Sequence, residues 1–281
     1  MRLLCRGLML TLGQLVEVEH RERLAAVPDP AIFALNHRNA LEALLAPTVL
    51  LYLRHGAPLH FLADWMFVEA PGLGWLLRQS EPIAVYGKPA RFRLGESYRR
   101  ERLRRPVLDA CRERLGRGES IGIFPEGTRN RDGRRLLRGR LGLGELALGA
   151  TVPVVPVALR YPTRETTREP QRAPHQPAGW GRMVLAIGEP LDFAAERRQL
   201  AEAARSSVES LGRRPVGPRP GLRRELARRI VDRVMAALAG ALGNDYSAWR
   251  RDQQIVPRQA TGGAAADPTS SSHHGSEATC E

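Results

Sequence analysis

Residues 31–42 read AIFALNHRNALE and constrain the fold more than any other stretch of the chain. The apolar run 31–35 has the length and character of a buried strand. It stops at Asn36-His37, and Ala40, Leu41, Leu44 and Leu45 then follow at helical spacing. A strand therefore hands over to a helix, with a histidine at the junction. Such a position holds a side chain at the rim of a rigid core and still exposes it to a ligand. Neutral imidazole takes a proton near neutral pH, its unperturbed pKa being about 6.5. A base also needs a group to fix its tautomer, and Glu42 is the nearest carboxylate.

Five residues of ideal helix turn through about 500°, which sets two side chains about 140° apart. His37 and Glu42 can meet only if His37 lies in the preceding loop and the helix starts after it. Asn39 is suited to cap that start. Asn39-x-x-Glu42 also has capping-box spacing, so the carboxylate has two available uses: holding His37, or bonding the backbone N–H of the cap.

The rest of the chain repeats the alternation. Strands are expected at 59–63, 82–86, 120–124 and 183–187. Helices are expected from the His37 junction through Leu53, with a kink near Pro47, and at 106–115, 194–211 and 222–242. Residues 120–129 read SIGIFPEGTR. Ile121 and Ile123 alternate as in a strand, Pro125-Glu126-Gly127 makes a turn, and Thr128 and Arg129 emerge at the strand end. Ligands of open α/β sheets bind beyond such ends. The planar fork of Arg129 suits a phosphate, while a local pair with Glu126 is its plainer use.

Lys+Arg number 43 against 30 Asp+Glu, a net charge of +13, and Lys88 is the single lysine. The surplus predicts attraction to anionic partners such as lipid headgroups and phosphates. Aromatic residues make up only 5%, which disfavours base stacking on single-stranded nucleic acid, so no nucleic-acid partner is expected. Cys5, Cys111 and Cys280 are too few and too scattered for a disulfide framework or a zinc site. No apolar run reaches the roughly 18–20 residues of a membrane span. The start of the chain, with Arg2 and Arg6 ahead of Leu8, Met9, Leu10 and Leu12, fits an amphipathic helix on a membrane or docked on the domain.

Taken together, these segments resemble the glycerolipid acyltransferase family, of the lysophosphatidic acid (1-acyl-sn-glycerol-3-phosphate) acyltransferase type. The resemblance rests on Asn36-His37-x4-Glu42 followed about ninety residues later by Phe124-Pro125-Glu126-Gly127-Thr128-Arg129. Pro71, Gly74-Trp75 and Ile83-x-Val85 fall between them in the expected order. Arg138-Gly139 and Val152-Pro153-Val154-Val155-Pro156-Val157 follow. Two positions depart from the family pattern. Glu42 stands where the family has aspartate, and Gly87-Lys88 stands where it has a phosphate-binding arginine, so Lys88 or Arg91 becomes the substitute cation.

The resemblance implies an α/β fold with a mixed central sheet flanked by helices. It implies an O-acyltransferase that moves a fatty acyl group from acyl-CoA or acyl carrier protein to a lysophospholipid hydroxyl, 1-acylglycerol 3-phosphate first among acceptors. Glycerol 3-phosphate or another lysolipid is the alternative acceptor, and a membrane-binding relative without catalysis is the alternative class. His37 would be the general base and Glu42 would orient it. Glu126, Gly127, Thr128, Arg129, Lys88, Arg138 and Gly139 would serve the substrates, with the Gly127 turn or the Arg138-Gly139 segment supplying oxyanion donors. No metal or organic cofactor is implied. The expected location is peripheral, on the cytoplasmic face of a membrane with an anionic surface. The expected layout is an amphipathic segment at 1–26, the α/β domain at 27–200, a C-terminal helical extension at 201–258 and a disordered tail at 259–281.

Overall fold

Ala31, Ile32, Phe33, Ala34 and Leu35 are all completely buried, as a strand covered on both faces requires. In the computed structural model this run forms β2 (Ile32–Leu35), the middle strand of a seven-stranded sheet. The structure describes residues 7, 15–39, 42–70, 74, 78, 80–89, 93–103, 106–130, 135–161, 183–209, 220–243 and 246. In chain order the strands are β1 (Val16–Glu19), β2, β3 (Leu59–Asp64), β4 (Ile83–Val85), β5 (Ser120–Ile123), β6 (Val154–Arg160) and β7 (Met183–Ile187). The helices are α1 (Glu42–Leu53), the single turn α2 (Trp65–Val68), α3 (Arg93–Arg102), α4 (Val107–Gly116), α5 (Leu141–Gly149), α6 (Ala194–Glu209) and α7 (Pro220–Ala241), with a 3-10 helix at Arg21–Ala26.

The sheet order is β1-β7-β6-β2-β5-β3-β4. Strands β6, β2, β5, β3 and β4 run parallel, and β7 turns the sheet by pairing antiparallel with β6. The fold is therefore mixed α/β, as expected. Alternate residues of β2 serve two cores. Phe33 and Leu35 pack with Ala46, Val49 and Leu50 of α1, whereas Ile32 and Ala34 pack with α4, α5 and α7. From β2 the chain passes over β5 to reach β3, while from β5 it passes over β2 to reach β6. The two connections leave in opposite directions, and this opens a crevice beyond the C-terminal ends of β2 and β5.

The opposite edge is closed by charge pairing. Arg54 bonds Asp29 and Ser120 there, and Arg114 bridges Glu81 and Glu119 beside the buried His60.

Two parts of the expected layout change. The segment 1–26 contributes β1, whose Val16 is buried and pairs in parallel with Met183 of β7. Its Val-Glu-Val-Glu alternation is a strand pattern too short to stand out from the sequence. The expected boundary at residue 200 separates no second body. Leu226, Ile230, Val231, Val234, Met235 and Leu238 of α7 are fully buried in the same core as Ile32 and Val154. The every-fourth-residue apolar line of this helix thus faces the domain, and Arg223 on its flank pairs with Glu145 of α5 at 2.6 Å. Most of the expected N-terminal amphipathic helix and the tail from 259 lie outside the described residues. Among the described residues no helix is long and apolar enough to cross a membrane.

Candidate active site at the C-terminal edge of the sheet

Three parallel neighbours, β6, β2 and β5, end side by side, and each is followed by a polar or aromatic residue. Asn36 follows β2 and is completely buried. Its amide donates to Leu159 O at 2.9 Å and accepts from Leu159 N at 2.7 Å. The side chain thereby prolongs the β2–β6 ladder by one rung and lets the backbone turn out at His37.

His37 lies in the loop before α1, outside the helix, as the spacing requires. Its Nδ1 is 3.1 Å from Glu42 Oε2. The same oxygen accepts the backbone N–H groups of Arg38 and Asn39, the latter at 3.0 Å, and Glu42 N donates back to Asn39 Oδ1 at 3.2 Å. The two uses open to Glu42 are therefore both met by a single oxygen. It closes the capping box and holds the imidazole. The Glu42 side chain is completely buried, whereas that of His37 is 14% exposed. With Nδ1 committed to the carboxylate, Nε2 is the nitrogen left to take a proton.

The imidazole has a floor. It stacks on Phe124 with ring centroids 4.4 Å apart, and Phe124 leans on Phe61 at 5.8 Å. Phe61 lies flat on its β5 partner Gly122, where an added Cβ would meet the ring at 2.4–2.5 Å. Only glycine permits that approach. Gly122→Val is expected to push Phe61 off the strand, to cost about 1–3 kcal/mol of stability by overpacking, and to lower turnover as the floor under His37 shifts. Chemical denaturation alongside steady-state rates would check this; a valine variant of unchanged stability and rate would contradict it.

The turn after β5 is placed differently from expectation. Glu126 is 2% exposed. Its Oε1 accepts His37 N–H at 3.2 Å and its Oε2 accepts Leu137 N–H at 2.8 Å. It is a brace between two loops, with no free oxygen directed at a headgroup. Burial pushes its carboxyl above the ordinary range, partly offset by these N–H donors. Asn130 N–H donates to His37 O at 2.7 Å, so the turn grips the histidine backbone on both sides.

Gly127 sits at φ 66°, and its N–H is used by Phe124 O at 2.9 Å, which leaves it unavailable as an oxyanion donor. The Arg140 side chain lies across this glycine, its Nε 3.4 Å from Glu126 O. Thr128 and Arg129 are exposed, and with both Glu126 oxygens bonded to backbone, the local Arg129–Glu126 pair is not formed.

The remaining expected site residues are not gathered here. Lys88 Nζ is 2.8 Å from Asp64 Oδ2, so its charge is already matched. Gly139 packs against Val231 and Met235 of α7, and its carbonyl accepts from Arg228 at 2.7 Å. Arg138 beside it is exposed. Arg91 lies outside the described residues. Within α3, Arg99 and Arg100 pair with Glu96, and Arg102 covers the Tyr98 ring at 3.6 Å.

The structure adds residues that the sequence reading left without a role. Tyr161, the first residue after β6, accepts a hydrogen bond from Asn39 Nδ2 at 2.6 Å. Phe61, Gly122 and Phe124 form the floor. The signal available for Asn36, Phe124 and Tyr161 was positional, since each directly follows a buried strand at the same edge.

Comparison with known proteins identifies a family and named relatives. A family model, Acyltransferase, matches residues 15–160. The chain is 28% identical over 144 residues to a chloroplastic 1-acyl-sn-glycerol-3-phosphate acyltransferase of Arabidopsis thaliana, covering 51% of this chain and 35% of that protein. It is 27% identical over 143 residues to the chloroplastic enzyme of that name from Brassica napus, covering 51% and 36%. A third relative of that name, from Chlamydomonas reinhardtii, is 25% identical over 197 residues, covering 69% and 52%. The matches thus span between 35% and 52% of these relatives' own lengths. The crystal structure of a 1-acyl-sn-glycerophosphate (LPA) acyltransferase from Thermotoga maritima aligns with a TM-score of 0.42 at 25% identity, over 71% of this chain and 73% of that one.

Proposed function

The chain belongs to the acyltransferase family, and from that premise we propose that it transfers a fatty acyl group from a thioester, acyl-CoA or acyl carrier protein, to the hydroxyl of a lysophospholipid. The proposed acceptor is 1-acylglycerol 3-phosphate and the proposed product phosphatidic acid. The observation that carries this reading is the bond from His37 Nδ1 to the buried Glu42 carboxylate, at the mouth of the crevice beyond β2 and β5. The names of the relatives supply the acceptor.

His37 Nε2 takes the proton of the acceptor hydroxyl as its oxygen attacks the thioester carbonyl. Glu42 fixes the tautomer and stabilises the imidazolium, as the carboxylate of a serine-hydrolase triad does. Collapse of the tetrahedral intermediate forms the ester and breaks the C–S bond, and the departing thiolate takes the proton back from the imidazolium. The acceptor itself is the nucleophile, so no serine or cysteine is needed, and the reaction balances with thioester and alcohol alone. The net charge of +13 favours work at an anionic lipid surface.

Arg129, with Thr128, is the proposed partner of the acceptor phosphate. Arg129→Ala is expected to raise KM for lysophosphatidate about tenfold or more, the loss of one charge-assisted contact, with a smaller effect on kcat. The experiment measures acceptor-dependent thiol release with lysophosphatidate, glycerol 3-phosphate and an uncharged lysolipid. Equal rates with charged and uncharged acceptors would remove the phosphate from the reading. No release from any thioester donor would remove the transfer itself.

A further inference from the structure

Glu42 carries its load unevenly. Oε2 takes three contacts, from His37 Nδ1 and the N–H groups of Arg38 and Asn39. Oε1 is equally buried and has no hydrogen-bond partner among the described residues. A buried carboxylate oxygen without a donor is costly, and natural structures usually supply it with one.

Tyr161 lies within electrostatic reach of Glu42, and its hydrogen-bonding direction follows from Asn39. The Asn39 amide faces its oxygen to Glu42 N–H at 3.2 Å, so its nitrogen faces Tyr161 and donates to the phenol oxygen at 2.6 Å. The phenol oxygen is thus an acceptor from Asn39, and its own proton remains to be donated. Tyr161 is partly buried against the Phe33–Leu35 core, which confines its ring. Burial, and after it the Glu42 charge, holds the phenol proton on more firmly than in free tyrosine.

We propose that Tyr161 is a positioning residue for the His37–Glu42 pair, its hydroxyl donating to Glu42 Oε1 while Asn39 fixes its orientation. This rests on the reading of His37 as the base. A donor on Oε1 spreads the carboxylate charge and settles how strongly Glu42 holds a protonated imidazole. It also ties the end of β6 to the β2 loop, so that three strand ends set one proton-transfer geometry. Among the described residues, Arg38 of the β2 loop acts electrostatically on Tyr161, and Glu126 of the β5 loop interacts with His37.

The test is Tyr161→Phe in the full chain, which keeps the ring and deletes only the hydroxyl. Without that donor, Glu42 holds the imidazolium more tightly. The pH midpoint of the His37 ring signals, followed by NMR in 13C-histidine-labelled protein and assigned with His37→Gln, is expected to move up by about half a pH unit or more. The acidic limb of kcat/KM is expected to move with it. The expected drop in kcat is about tenfold, with KM for both substrates changed less than twofold. An unmoved His37 titration in the folded variant overturns the proposal, because a purely structural tyrosine would lower stability and leave the titration where it was. The NMR readout does not depend on turnover. A wild-type chain that transfers no acyl group, yet shows the titration shift in Tyr161→Phe, would refute the proposed reaction and uphold the positioning role.

Discussion

Replacing His37 with alanine is expected to lower acceptor-dependent thiol release by about a thousandfold, the scale set by loss of a general base, while the chain remains folded. The hydroxyl of a lysolipid is a poor nucleophile at neutral pH, and the imidazole is the group at the crevice able to take its proton as attack proceeds. The stability cost is small by comparison. The ring is partly exposed at 14% and contributes one stack on Phe124 and one bond to Glu42. Glu42→Ala should behave differently. It removes the tautomer-fixing acceptor and also orphans the N–H groups of Arg38 and Asn39, so it lowers both turnover and melting temperature. Rates from single-turnover thiol release and melting curves for the two variants would separate these cases. A folded His37→Ala chain with turnover within tenfold of wild type would sink the general-base role.

The contrast between these two residues shows where the sequence was legible. His37 could be placed because a short continuous apolar run of strand length fits a strand covered on both faces, and the helical spacing that begins after it forces the histidine into the junction. Glu42 was harder, since capping-box spacing and base-orienting spacing coincide. Only coordinates reveal that one oxygen serves both ends. The strand at 183–187 was readable for the same reason as β2, and that at 120–123 from the alternation of Ile121 and Ile123. By contrast α5, Leu141–Gly149, is rich in leucine and glycine without a polar face, because it is buried between the sheet and α7. Periodicity has nothing to report for such a helix.

Glu126 and Lys88 are already engaged by partners the sequence does not reveal. Glu126 stands in a turn beside Thr128 and Arg129, and composition alone cannot tell a carboxylate turned inward from one facing a ligand. Lys88 was a cation at the right place in the chain, but its partner Asp64 lies on the neighbouring strand, β3. Both outcomes follow from contacts between segments distant in sequence, where local pattern carries no information.

Glu126 leads to the second large effect. Its two oxygens accept the N–H groups of His37 and Leu137, so Glu126→Ala leaves both donors without their acceptor. The expected cost is about 2–6 kcal/mol, at about 1–3 kcal/mol for each orphaned group. The loop carrying His37 also loses its tie to the β5 turn, and a shift of about 1 Å at the base is enough for about a hundredfold loss in turnover. Glu126→Gln separates charge from bonding. A glutamine has one acceptor oxygen, so it can serve one of the two N–H groups and must turn its own donor toward the other.

The pH dependence gives a further check with a definite sign. Burial raises the carboxyl pKa in the folded state above its unfolded value. Its contribution to stability is therefore complete below the ordinary carboxylate range and is lost as pH rises through the folded value. Glutamine does not titrate. The stability deficit of Glu126→Gln relative to wild type should thus be largest at acid pH and should narrow as pH rises above the ordinary carboxylate range. Denaturant titrations at a series of pH values would measure that difference directly. A deficit that widens with pH would mean that the ionised carboxylate is the favoured form, and that the backbone donors outweigh burial.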